Sequence, residues 1–167
     1  MTIDFHQFVK DISKIDLEDI CSDWQWLLKN QYTPIIVSCA GDIFLVDKNE
    51  SISWLDTGAG QLQKIADNLE QFNSALENIE NIDKWFQASI VLELIEKGMI
   101  LLENQVYSYK LMPILSGDYS PENFELTDMS VHFSFTGQIC KQVKDLPEGT
   151  RINKFILRNN SDEQNGS

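Results

Sequence analysis

The hydrophobic period of this chain changes near residue 33, and the change limits the folds open to it. Before it, apolar residues recur at helical spacing. After it, three short apolar runs are punctuated by turn residues. Thr33 to Cys39 reads TPIIVSC, β-branched and apolar. Ala40 and Gly41 turn the chain, and Asp42 to Asp47 reads DIFLVD. Lys48, Asn49 and Glu50 form a polar tight turn, and Ser51 to Leu55 alternates. Apolar runs this short, joined by turns this tight, predict a three-strand antiparallel meander. The residues after it, Asp56 to Gly60, read as a loop.

Helices are expected on both sides. Ile3, Phe8 and Ile12, then Ile20, Trp24 and Leu27 or Leu28, place a helical stripe over residues 3–28. Asp16, with Asp19 three residues on, is a candidate N-cap, and Asn30 a candidate stop. Residues 61–97 predict two or three further helices. Leu62, Ile65, Leu69, Phe72 and Leu76 form one stripe; Trp85, Phe86, Ile90, Val91, Leu94 and Ile95 form another. Gly98 is placed to end the last of them. Val106, Tyr107, Tyr109 and Leu111 predict a strand within 105–115. Leu115 to Asn123 is a loop by composition, and Phe124 to Thr127 a brief extended piece.

Residues 129–145 are ambiguous between helix and strand. Val131, Phe133 and Phe135 alternate, yet Val131, Phe135, Ile139 and Val143 are spaced by four, and this favours a helix. Pro147 to Gly149 would end it, with an extended stretch over 150–157. The expectation is a single α+β domain over 1–158: N-terminal helices, an antiparallel meander, a central helical segment, and further short strands with a C-terminal helix. Residues 159–167 are expected to be a disordered polar tail.

Composition narrows the function. With 43% apolar and 10% aromatic residues, the 167-residue chain has enough to bury one core. No apolar run reaches the roughly 18 residues that a membrane span needs, and the mixed, charged N-terminus does not read as a secretory signal. The expected compartment is the cytoplasm. Net charge is −13, and it is lopsided: residues 1–128 hold 22 of the 26 acids and 8 of the 13 bases. Such a field repels nucleic acid and anionic membrane, both of which call for a basic surface. It steers a basic partner inward.

Motifs for chemistry are missing. Asp56 to Gly60, DTGAG, lacks the Lys-Ser/Thr of a P-loop and the third glycine of a dinucleotide fingerprint. There is no GxSxG, HExxH or CxxC. Cys21, Cys39 and Cys140 are odd in number and far apart, so they read as small buried or half-buried thiols. His6 and His132 have no partner in sequence, and His132, between Val131 and Phe133, reads as a surface or boundary residue. Asp42, Asp47 and Asp56 do not match EF-hand spacing and read as turn formers. The acids at 16/18/19, 77/80/83 and 122/125 read as solvated faces. No catalytic residue, cofactor site or metal site is expected, and the chain reads as a binder of protein.

The order GDIFLVD (41–47), SWLDTGAG (53–60), a helix with Trp85, and PILSGDYSPENFELTDMSVHFSFTGQICKQVKDLPEG (113–149) resembles the C-terminal domain of type VI secretion immunity proteins that neutralise DNase effectors. The resemblance spans roughly residues 20–153, and none of its motifs is catalytic. It implies an α+β protein that binds a cognate toxin effector, basic or with a basic cleft, and blocks its active site. Only a short helical stretch precedes the core, whereas some members carry an extra N-terminal domain. The effector is therefore a nuclease or another enzyme. Carboxylates that mimic a phosphate backbone suit a nuclease cleft. Asp118, Glu122, Glu125 and Asp128, in a segment with no base, are the candidate partner-binding residues. The alternatives are an acidic protein-interaction module with no toxin partner, or a small hydrolase.

Overall fold

The computed structural model describes residues 4–158, and the expected tail over 159–167 lies outside them. The fold is α+β. The N-terminal segment is less helical than its periodicity suggests. A single 3-10 turn, Phe5–Phe8, is followed by extended chain in which Val9 bridges Ser38. Two short helices come next, α1 (Leu17–Ser22) and α2 (Gln25–Leu28). Asp16 caps α1, its Oδ1 accepting the Asp19 N–H at 3.1 Å. Lys29 and Asn30, both left-handed, end α2.

The meander forms as expected, with one strand more. Strands β1 (Tyr32–Val37), β2 (Ile43–Asp47), β3 (Ile52–Asp56) and β4 (Gln61–Ala66) pair in sequence order, all antiparallel. Residues 61–66 are thus strand, where Leu62 and Ile65 had suggested helix. Gln, Leu and Lys favour helix weakly, but the open edge of β3 offers a full hydrogen-bond ladder, with Leu55 opposite Leu62 and Asp56 opposite Gln61. Tertiary pairing overrides so weak a local preference.

Asn68 then caps α3 (Leu69–Ala75), and Asn78 caps α4 (Ile79–Phe86). Gln87 turns the chain into α5 (Ala88–Glu96). Gly98 and Met99 close α5 as a Schellman motif, donating to Ile95 and Leu94. Strand β5 (Gln105–Tyr109) pairs antiparallel with β6 (Phe124–Asp128) in a second sheet. The strand expected within 105–115 stops early, because Pro113 starts a 3-10 turn. The Tyr107 N–H donates to Cys39 at 2.8 Å, tying the second sheet to the β1–β2 turn.

Helix α6 (Met129–Val143) resolves the ambiguity over 129–145. Its buried face, however, is not the expected one. Met129, His132, Phe133, Thr136, Gly137, Ile139 and Cys140 are buried, whereas Val131 is 56% exposed and Phe135 38%. The four-residue spacing identified the helix and picked the wrong stripe, since the inward positions include a His, a Thr and a Gly. Gly137 is required there. A Cβ would lie 2.6 Å from the Asp23 carbonyl oxygen, so α6 meets the α1–α2 corner backbone to backbone. Residues 150–158 join no ladder, but the segment is held to α6 by two glutamines. Gln142 bonds both backbone groups of Ile156, and Gln138 those of Arg158.

Candidate functional site

The most organised polar group in the molecule is buried, and it joins the two sheets to α6. Asp42, at the entry to β2, is 1% exposed, and Thr57 and His132 are as deep. The Asp42 carboxylate accepts from the Trp54 indole N–H at 3.0 Å and from the Thr57 N–H at 2.9 Å. The Thr57 hydroxyl lies 2.7 Å from the Gly41 carbonyl and 3.2 Å from His132 Nε2. His132 Nε2 is 2.8 Å from that same carbonyl, which only accepts, so Nε2 carries the proton. Nδ1 then accepts from the Ser108 hydroxyl at 2.7 Å.

Burial sets the electrostatics. It pushes the His132 imidazole down to about 4, so the ring is neutral at physiological pH. It also holds Asp42 well above the usual carboxylate range, with the nearby Asp56 charge acting the same way and the hydrogen bonds from Thr57 and Trp54 opposing both. The Ser108–His132 contact has the composition of a nucleophile–base pair, here shielded from solvent. Ser108 is only 6% exposed, and the ring's other nitrogen is committed to a backbone carbonyl. The cluster cross-links β2, the β3–β4 turn, β5 and α6. Gly41 belongs to it, because with φ at +82° a Cβ there would overlap the His132 ring.

Two sequence expectations change here. His132 is a core residue rather than a surface one, and Asp42 is a buried acceptor as well as a turn residue. The only signal for either was a polar residue inside an apolar run, V-H-F and G-D-I-F. The thiols agree with expectation: all three cysteines are free and buried, with burial pushing Cys21 and Cys39 up to about 11 and Cys140 to about 12. Among the described residues no three His, Cys, Asp or Glu side chains group as a metal site.

The four candidate partner-binding acids lie on one loop-and-strand segment, and most have local tasks. Asp118 accepts from the Ser120 N–H and hydroxyl, which hold its carboxyl below the usual range. Glu122 pairs with Lys97 at 3.0 Å. Asp128 caps α6 through Ser130 and accepts from Asn104 at 2.8 Å. Glu125, exposed on β6, points to no such task. The acids share a region of the surface, therefore, without forming a single cluster of free carboxylates. No helix among the described residues is long and apolar enough to cross a membrane.

Among curated proteins, none matches this chain. A family model does match, over residues 66–140, and its description is T6SS immunity protein Tdi1, C-terminal. The matched segment runs from the end of β4 into α6, so it contains Ser108, His132 and all four candidate acids. The meander that supplies Asp42, Trp54 and Thr57 precedes it. The resemblance carried by the sequence motifs is borne out over that segment: residues 66–140 match the C-terminal domain family of type VI secretion immunity proteins.

Proposed function

We propose that this chain is an immunity protein that binds a cognate secreted toxin, a nuclease, and blocks it in the cytoplasm by protein–protein contact. The carrying observation is the family match over 66–140. The charge of −13 supports it, since a nuclease cleft that binds phosphate is basic and is drawn to an acidic surface. The buried cluster supports a non-catalytic role, because its Ser and His are spent on holding two sheets and a helix together. In this reading Asp118, Glu122, Glu125 and Asp128 form part of the contact face. The test is co-expression with the product of the neighbouring gene. Relief of growth inhibition together with co-purification supports the proposal. A toxic product that neither co-purifies nor is relieved removes that partner.

A further inference from the structure

A cavity of about 320 Å³ opens beside the acidic loop, lined by Trp54, Asp56, Asp83, Lys84, Gln87, Ser89, Ile90 and Tyr119. Its charged groups are the carboxylates of Asp56 and Asp83 and the ammonium of Lys84. Asp56 uses Oδ1 on the Gly58 and Ala59 N–H groups, at 3.1 Å each. Asp83 uses Oδ1 on the Ser89 N–H at 2.8 Å. Each carboxylate therefore keeps a second oxygen. Gln87, only 9% exposed, donates Nε2–H to the Tyr109 hydroxyl at 2.8 Å, and its Oε1 is buried with no partner. An acceptor left in that state is destabilising. The same residue sits at φ +51° in the corner between α4 and α5, a strained backbone for a side chain of this kind. Tyr119, half exposed, lines the cavity with an aromatic ring, and Trp54 and Ile90 add apolar wall.

Two carboxylates, an aromatic face and an apolar wall suit a cation with several donors, a flat head and a greasy stem. A guanidinium on its methylene chain has all of these. Lys84 is the one base in the lining, and among the described residues it has no carboxylate within ion-pair distance. We infer that this cavity is the receptor for an arginine side chain presented by the protein partner. The inference rests on the immunity reading for the identity of that partner, and it locates the contact more narrowly than the acidic loop does. Tyr119 follows Asp118 directly, so loop and cavity form one face. A basic partner steered by the loop is anchored by one side chain in the cavity.

The test uses the full chain, nitrogen-labelled for NMR, titrated with Nα-acetyl-arginine amide. The expected result is saturable shifts at the Gln87 side-chain amide, the Trp54 indole and the backbone of residues 83–90. The citrulline analogue, equal in shape and uncharged, gives none. Asp83→Asn keeps an acceptor for the Ser89 N–H and weakens binding several-fold, whereas Lys84→Met strengthens it. Equal shifts with arginine and citrulline, shifts with neither, or lysine amide binding as well as arginine would overturn the assignment. With an effector that binds the wild-type chain, Asp83→Asn lowers affinity about tenfold, and unchanged affinity contradicts the inference while leaving the immunity role intact. An effector that fails to bind the wild type contradicts the immunity reading instead, and the arginine titration still reports on the cavity.

Discussion

At the scale of single residues, the structure puts polar side chains where a sequence reading places apolar ones. His132 is the clearest case. Its folded value, about 4, lies below its ordinary value of 6.5. The unfolded chain therefore takes up the proton first as pH falls, and the stability that a neutral His132 contributes is full above about pH 6.5 and lost towards pH 4. The shift corresponds to an effect on the order of 3 kcal/mol. Asp42 carries the opposite slope, because its raised value means that stability is lost as pH rises beyond the ordinary carboxylate range. His132→Gln isolates the histidine term. By urea denaturation, the margin of the wild type over the variant should shrink by most of that amount between pH 7 and pH 4. A constant margin would mean that the ring does not titrate as a buried neutral group. Gly137 is as specific: Gly137→Ala drives a methyl into the Asp23 carbonyl and should cost about 1–3 kcal/mol in the same assay.

At the scale of elements, legibility followed the strength of the local signal. Turn chemistry at Gly41, Glu50 and Gly98 and capping at Asp16 were all readable, and each sits at positive φ or accepts the expected N–H. The β2–β3 hairpin was readable because β-branched runs met a tight polar turn. Strand β4 was not, because Leu62 and Ile65 in QLQKIA are spaced as on a helix, while the segment takes its form from β3. The helix α6 was readable as a helix but not as to its face, and the buried cluster was invisible because its side-chain hydrogen bonds join residues 12 to 91 apart. Asp16→Ala, which removes the α1 cap, should cost about 1 kcal/mol. The C-terminal segment gives a second prediction. Gln138 and Gln142 clamp alternate residues of it, and one helical turn of α6 nearly matches two residues of extended chain. Gln138→Ala with Gln142→Ala should free the segment, seen as faster tryptic cleavage after Arg151 and Lys154. Cleavage at the wild-type rate would show that the clamps do not hold it.

At the scale of the whole molecule, the charge is the property that bears on function. Ion pairs among the described residues are exposed and worth little each, so the excess acid is not consumed internally. Its lopsided placement, with Arg151, Lys154 and Arg158 gathered at the C-terminal end, gives the protein an orientation in a partner's field. Replacing Asp118, Glu122, Glu125 and Asp128 with Lys should weaken association with the effector and flatten its salt dependence. Unchanged affinity would move the contact off that loop and leave the immunity role standing. Toxin neutralisation by direct binding is measured by calorimetric titration of the purified chain with the purified product of the adjacent effector gene at low and high salt. The expected result is a saturable complex whose affinity falls as salt rises, together with loss of the effector's activity at equivalence. No complex at either salt, or a complex in which the effector stays active, would contradict it.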